Sequence, residues 1–403
     1  MRLVAHIDAD SFYVSCERVR SPWLNSKAVC VLGNQGAIII ARSYEAKKLG
    51  AKVGMPVWEA KKLSSEIFFI KRDFAWYGIL SDAMQKIFSE FSDTIEYYSI
   101  DESFLDLGNF FGDINYLTAE IQSSVLKKTG LPVSVGISLS KTLAKMASDK
   151  EKPLGKKVVL KNDLFGFLKS CDVSEVSGIG FSSQKRLENL GIKTAFDFIS
   201  KDRTFIKNLL HRPGECLWYE LKGHSILPVR GERPQRKGIS RGGSLYGMSS
   251  NRNIVYAFLL RNLEKMVFAM NEQGIELKKI SLVLIDSNGR FFKSSSVLMD
   301  YSSSYFLLLE ALKLCFFKIF NNNISYKALH IVGEDIINSS LKQLNLFSFE
   351  EEKFKKMSKI KNSICKKFGV FSIRDASTAY INEVFKDDAS NFEISDSSKK
   401  FCF

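Results

Sequence analysis

Four carboxylates stand out for what they could do together: Asp8 and Asp10 near the N-terminus, and the adjacent pair Asp101 and Glu102. Hard divalent cations take oxygen ligands, and two Mg²⁺ ions about 3.5 to 4 Å apart can clamp the attacking and leaving oxygens of an in-line nucleotidyl transfer. Such a pair needs several carboxylate oxygens converging from distant segments. Each acidic pair alone has a plainer reading, with Asp10 capping a helix and Asp101-Glu102 lying in a solvated turn. In an ideal strand, Asp101 and Glu102 would point to opposite faces, so both reach one site only at a turn or strand end. The break in alternation at Ile100 permits one.

Residues 3–8 (LVAHID) read as a short buried strand, and Asp10 or Ser11 then caps a helix to about residue 20. Residues 28–32 and 37–41 are β-like runs split by Gly33-Asn34-Gln35-Gly36, followed by a helix over 44–49 that ends at Gly50. A helix is expected over 76–91, two strands over 95–107 meeting at Ile100-Asp101-Glu102, a helix over 116–129, a strand over 133–137, and a helix over 140–150 capped by Ser140. This is a β-α-β-β-α-β succession. Residues 163–221 are wholly helical by pattern, and Arg230, Arg233, Arg236, Lys237 and Arg241 against the single Glu232 mark a basic linker and a domain boundary. A second β-α-β-β-α-β unit follows, with strands over 238–245, 279–285, 290–298 and 327–332 and helices over 254–271 and 305–321. The tail after residue 347 has seven lysines between 353 and 367 and finishes polar.

A chain of 403 residues with 45% hydrophobic content has room for two to four domains with real cores. Its seven cysteines are scattered singly beside only four histidines, which disfavours a zinc site or a disulfide framework. The most apolar stretch, 305–320, is broken by Glu310, Lys313 and Lys318, and the N-terminus meets His6, Asp8 and Asp10 at once. Neither a spanning helix nor a secretory signal fits, so a cytoplasmic protein without a membrane partner is expected. Fifty-eight Lys and Arg against 44 Asp and Glu leave a formal charge of +14, which favours a polyanionic partner, nucleic acid before membrane surface.

Three segments fit one frame: His6-Ile7-Asp8-Ala9-Asp10-Ser11-Phe12-Tyr13 with Cys16-Glu17, Ala41-Arg42-Ser43-Tyr44-Glu45-Ala46-Lys47, and Tyr98-Ser99-Ile100-Asp101-Glu102-Ser103-Phe104. Val135-Gly136-Ile137-Ser138, Lys141-Thr142-Leu143-Ala144-Lys145 and Lys152-Pro153 continue it. In order and separation they resemble the signatures of Y-family DNA polymerases, over residues 1 to about 347. The resemblance implies an α+β multidomain right-hand polymerase: a ferredoxin-like palm (1–10 and 78–162), small fingers (11–77), a helical thumb with a helix-hairpin-helix (163–229), a basic linker (230–241), a β-α-β-β-α-β little finger (242–340) and a clamp-binding and interaction tail (341–403).

It further implies that Asp8, Asp101 and Glu102 are catalytic and ligate two Mg²⁺ ions, with the Ala9 carbonyl as an additional ligand. Tyr13 matches a steric gate against the 2′-hydroxyl, and Phe12, Tyr13, Tyr44, Lys47 and Lys152 match contacts to the incoming nucleotide. Lys47 stands where arginine is common in the family, giving a point charge in place of a bidentate fork. The run Val176-Ser177-Gly178-Ile179-Gly180, with Lys185 and Arg186 after it, reads as a helix-hairpin-helix whose glycines let backbone N–H groups approach a DNA phosphate. Arg236, Lys237 and Arg241 of the linker are further candidate DNA contacts. Gln343, Leu344, Leu346 and Phe347 resemble the pentapeptide by which bacterial polymerases bind the β sliding clamp.

Within the family the wording is most similar to the UmuC group. That implies error-prone translesion synthesis on primer-template DNA with deoxynucleoside triphosphates in the SOS response, beside a processed UmuD-like dimer and a RecA filament. The competing readings are a catalytically silent, clamp-tethered accessory protein, against which the intact Asp8, Asp101 and Glu102 argue, and another metal-dependent nucleotidyl enzyme.

Overall fold

Seven consecutive buried residues form strand β1 (Leu3–Ala9), which takes the centre of a five-stranded sheet. The structure, a computed structural model, describes residues 2–33, 38–108, 110–232, 236–341, 349–368 and 372–383. Two units divide the chain, Met1–Arg233 and Pro234–Phe403.

In the first unit, β1 leads through Ser11 into helix α1 (Phe12–Arg20). Strands β2 (Val29–Leu32) and β3 (Ile39–Arg42), helices α2 (Tyr44–Lys48) and α3 (Val57–Ala60), and strand β4 (Phe68–Lys71) follow. They build a small three-stranded sheet ordered β3-β2-β4. The sequence reading lacks β4 because four residues, with only the middle pair partly buried, carry no usable alternation. Helix α4 (Phe74–Phe88) leads into β5 (Ile95–Tyr97) and β6 (Glu102–Gly108). Then come α5 (Ile114–Thr129), β7 (Val133–Ser138), α6 (Lys141–Lys150) and β8 (Lys156–Val159).

The large sheet is ordered β5-β6-β1-β7-β8, with β8 parallel to β7 at the edge. The first four strands in this order, joined by α4 and α5, have ferredoxin-like connectivity. Helix α6 lies against β7 because residue 136 is glycine: a Cβ there would sit 2.2 Å from the Ala144 carbonyl oxygen and 2.3 Å from the Ser148 nitrogen. Any side chain at 136 would lift α6 off the sheet.

The remainder of this unit is helical, with α7 (Leu164–Lys169), α8 (Phe181–Glu188), α9 (Ala195–Ser200) and α10 (Arg203–Leu221). Helix α10 is kinked where His211 adopts φ 59° and ψ −157°, two residues before Pro213. Glu220, fully buried, fastens α10 to the start of α6: its carboxylate accepts from the backbone N–H of Thr142 (3.1 Å), Ile226 (2.8 Å) and Leu227 (2.9 Å). Alanine at 220 removes the shared acceptor of three N–H groups, the buried one of Thr142 among them, at roughly 1 to 3 kcal/mol in all, so Glu220→Ala should lower Tm by about 2 to 12 °C in calorimetry. An unchanged melting curve would deny this anchor its role.

The second unit contains β9 (Gly238–Ser249), α11 (Arg252–Gln273), β10 (Ile275–Asp286), β11 (Phe291–Ser302), α12 (Tyr305–Ile319) and β12 (Tyr326–Asn338). Its all-antiparallel sheet is ordered β11-β10-β12-β9, and α11 and α12 cover one face. Beyond it, α13 (Phe349–Phe368) and a 3-10 stretch, Ala376–Glu383, pack on α11. Buried Glu264 holds this segment, taking the Lys361 ammonium at 2.6 Å and the Asp375 backbone N–H at 2.8 Å, while Ile381 enters the core. The expected interaction tail therefore includes a packed layer that its lysine-rich composition conceals. Residues 343–347, the clamp-like pentapeptide, lie outside the described residues. Among the described residues no helix is long and apolar enough to cross a membrane.

Candidate active site

Asp8 stands opposite Glu102 on the β1–β6 ladder, and the Ala9 N–H donates to the Asp101 carbonyl at 2.9 Å. The two acidic segments are thus tied backbone to backbone. Between β5 and β6 the turn is closed by Ser99, whose hydroxyl accepts from the N–H groups of Asp101 (3.3 Å) and Glu102 (3.1 Å) and donates to the Asp101 carboxylate. Asp101 precedes the first residue of β6, so strand alternation does not force the adjacent carboxylates apart.

Asp8 and Asp101 line an open cleft of about 380 Å³ together with Ala9, Phe12, Tyr13, Tyr44, Lys47 and Lys152. The Lys152 ammonium lies 2.9 Å from Asp8 Oδ2 and 2.6 Å from Asp149 Oδ1. Glu102 is bound from another side, by Lys145 Nζ at 2.5 Å and His6 Nε2 at 3.3 Å, while His6 Nδ1 meets the Ser148 hydroxyl at 2.6 Å. Burial pushes the Asp8 and Asp101 carboxyls up, and mutual repulsion with Glu102 adds to it, against the pull of Lys152. Glu102 stays well below the usual carboxylate range despite burial, because His6 and Lys145 favour its charge. Buried acids that repel one another suit a cationic ligand, and the all-oxygen donors Asp8, Asp101 and Glu102 suit a hard one. His6, Asp8 and Glu102 each bring a ligand atom within 4.8 Å of the others, although the nitrogens of His6 are already engaged by Ser148 and Glu102.

Tyr13 is packed into an aromatic stack, 4.8 Å from the Tyr77 ring at 22° and 5.6 Å from Phe74 edge-on. Tyr77 is itself pinned by donating to Glu17 at 2.7 Å, and burial raises the Tyr13 phenol to about 12. The ring is a neutral, closely packed part of the cleft wall. Tyr44 opens α2, which Ser43 caps by accepting the Ala46 N–H. Lys47, one turn along, is exposed.

Asp10 is not the helix cap expected from the sequence. Ser11 takes that position with φ 47° and no side-chain cap bond, whereas Asp10 is 2% exposed. Its carboxylate accepts from Ser134 Oγ (2.9 and 3.1 Å), from the Leu154 N–H (2.8 Å) and from the Tyr44 hydroxyl (3.4 Å). Those donors come from three separate segments, and tertiary pairing outcompetes the local cap. Sequence reasoning also gave no role to Arg42, which lines the cleft with its guanidinium on the Ala51 carbonyl, nor to His6 and Lys145. The one available signal for Lys145 was its place a turn beyond Lys141 on a capped helix.

Gly178 and Gly180 form an exposed turn before α8, Gly178 with φ 101° and Gly180 with open space where a Cβ would stand. A three-residue 3-10 turn, Val173–Glu175, takes the place of the expected first helix. Lys185 lies over the Phe181 ring at 4.5 Å, and both it and Arg186 are exposed. If they meet DNA phosphates as the sequence resemblance implies, replacing Lys185 and Arg186 by alanine should reduce the slope of log affinity for duplex DNA against log salt by about 2, one phosphate per residue, without changing sequence preference. An unaltered slope would take α8 out of the DNA contact. In the second unit Arg236 donates to Gln273, Arg241 to the Ser240 carbonyl at 2.7 Å, and Lys237 is exposed.

The impB/mucB/samB family model matches residues 7–149, which span both acidic segments and α2. DNA polymerase IV 1 of Bacillus subtilis (strain 168) is 31% identical over 386 residues, 94% of this chain and 93% of its own length. DNA polymerase IV of Nitrosopumilus maritimus (strain SCM1) is 34% identical over 311 residues, 73% of this chain and 80% of its own. Among solved structures, a Dbh-based Y-family DNA polymerase chimera superimposes with a TM-score of 0.72 at 24% identity, covering 83% of this chain and 99% of that one. DinB from Sulfolobus solfataricus matches with a TM-score of 0.55 at 23% identity over the same shares. At those identities the two structures bear on fold alone.

Proposed function

Because the chain belongs to the Y family of DNA polymerases and is a DNA-directed DNA polymerase of the translesion class, we propose that it extends a primer 3′-hydroxyl by metal-assisted nucleotidyl transfer in the cleft at Asp8 and Asp101. The observation that carries this reading is the convergence in one cleft of buried Asp8 and half-buried Asp101 with Tyr13, Tyr44, Lys47 and Lys152. Asp8, Asp101, Glu102 and the Ala9 carbonyl would hold Mg²⁺. Two bound ions would lower the pKa of the primer hydroxyl and neutralise charge on the triphosphate.

The protein groups supply position and charge. Lys145 and His6 keep Glu102 ionised and oriented. Lys152, Lys47 and Tyr44 grip the triphosphate, with Phe12 and Tyr13 against base and sugar, and the packed Tyr13 ring excludes a 2′-hydroxyl. The hairpin at Gly178 and Gly180, Lys185 and Arg186, and the basic residues Arg236, Lys237 and Arg241 track the DNA backbone without reading sequence. Residues 343–347 would tether the enzyme to a sliding clamp, and a cytoplasmic site of action follows from these partners.

Within the family, the relatives named DNA polymerase IV favour assignment to that group as the first reading. The UmuC-like assignment, with its SOS role, UmuD-like dimer and RecA filament, is the second reading, supported by the YSIDE wording at 98–102. Primer extension on undamaged and abasic templates with Mg²⁺ and deoxynucleotides tests both. Extension past the lesion by the chain alone supports the first assignment, and extension only with the added partners supports the second. No extension under either condition, with DNA binding retained, would return the protein to the silent accessory class.

A further inference from the structure

We propose that Asp10 is a positioning residue for the incoming nucleotide: its buried carboxylate joins Tyr44 to the chain that carries Lys152 and so sets the spacing of two groups that grip the triphosphate. The inference rests on reading Tyr44 and Lys152 as triphosphate contacts.

The geometry is that of a junction. Tyr44 begins α2 beside the small sheet, Ser134 lies in β7 of the large sheet, and Leu154 follows Lys152 by two residues. All three donate to the one carboxylate. Ser134 also accepts from the Gly155 N–H at 3.1 Å, which anchors the same loop a second time. Leu154 has φ 55°, a left-handed conformation that a leucine seldom adopts, and its N–H bond to Asp10 helps to hold it there. The loop that presents Lys152 is therefore fixed by Asp10, on which the Tyr44 hydroxyl also converges. Hydrogen bonds to a buried charged acceptor are stronger than neutral ones, and removing the acceptor strands its donors. Asp10 does not itself line the cleft, so its effect must travel through the two groups that do.

Loosening both grips weakens nucleotide binding in the ground and transition states alike, which raises KM for the nucleotide with little change in kcat. The experiment is steady-state primer extension by the full chain, comparing wild type with Asp10→Ala, Asp10→Asn, Tyr44→Phe, Lys152→Ala and the double variant Asp10→Asn/Tyr44→Phe, with DNA affinity and Tm measured alongside. Asp10→Ala should raise KM about tenfold with kcat within about threefold and DNA affinity unchanged. Asp10→Asn can still accept from Leu154 through its amide oxygen but turns an N–H toward Tyr44. It should raise KM about threefold, and the double variant should raise it by less than the product of the two single effects, because part of what Tyr44 contributes runs through that shared contact.

Should Asp10→Ala fail to fold, the isosteric Asp10→Asn decides. If Tyr44→Phe and Lys152→Ala keep the wild-type KM, the triphosphate reading itself fails. If they raise KM while the folded Asp10 variants do not, or if the asparagine and phenylalanine effects multiply in full, Asp10 has only a structural part and the proposal is overturned.

Discussion

Alanine at position 101 should abolish nucleotide addition, by about 10³-fold or more in kcat/KM and so roughly 4 kcal/mol or more, while DNA affinity at fixed salt stays within about twofold of wild type. The asymmetry follows from where Asp101 sits. Its half-buried carboxylate faces the cleft beside Asp8 and Glu102, whereas the exposed bases proposed to meet phosphates, Lys185 and Arg186, belong to a separate helix. Removing the acid takes away a hard-cation ligand and leaves the DNA-binding charge intact. Asp101→Asn is the sharper variant, since it keeps the size and the Ser99 turn but offers an amide in place of a carboxylate; it should remain close to inactive. Extension within tenfold of wild type by both variants would remove Asp101 from the metal site. Loss of activity accompanied by a lowered Tm would trace the defect to the turn.

The second large effect concerns sugar selection. Tyr13→Ala should let ribonucleotides in, reducing the discrimination between deoxy- and ribonucleotides by roughly a hundredfold, about 3 kcal/mol. A gate works only if it cannot move aside, and Tyr13 is held on one side by Tyr77 and on another by Phe74, with Tyr77 locked to Glu17. Alanine empties that volume. The comparison is kcat/KM for each nucleotide of a matched deoxy and ribo pair, so that a general loss of activity cancels in the ratio. A ratio that stays at its wild-type value would reduce Tyr13 to a packed core aromatic. Phenylalanine at 13 should keep the discrimination, since the ring and not the hydroxyl forms the wall.

Much of the site could be read from residue order. The acidic pairs, the break at Ile100, the aromatic at 13 and the lysines at 47 and 152 stand in local words of the sequence. The helix over 44–49 and the Ser140 cap were likewise legible, the cap because it is satisfied within its own turn. Strand β4 and the packed layer after residue 349 were not, since short edge strands and lysine-rich helices carry little periodic signal.

What sequence alone determined is therefore the chemistry available and the succession of elements. Tertiary structure decided which elements meet. Two β-α-β-β-α-β successions in this chain form different sheets: the first strand lies between the third and fourth in one, and at the edge beside the fourth in the other. Alternation tells which face of a strand is buried and says nothing of its neighbour. For the same reason Asp10 read as a cap: its partners at 44, 134 and 154 are distant in sequence, and three donors converging on one buried carboxylate outweigh a local N–H bond.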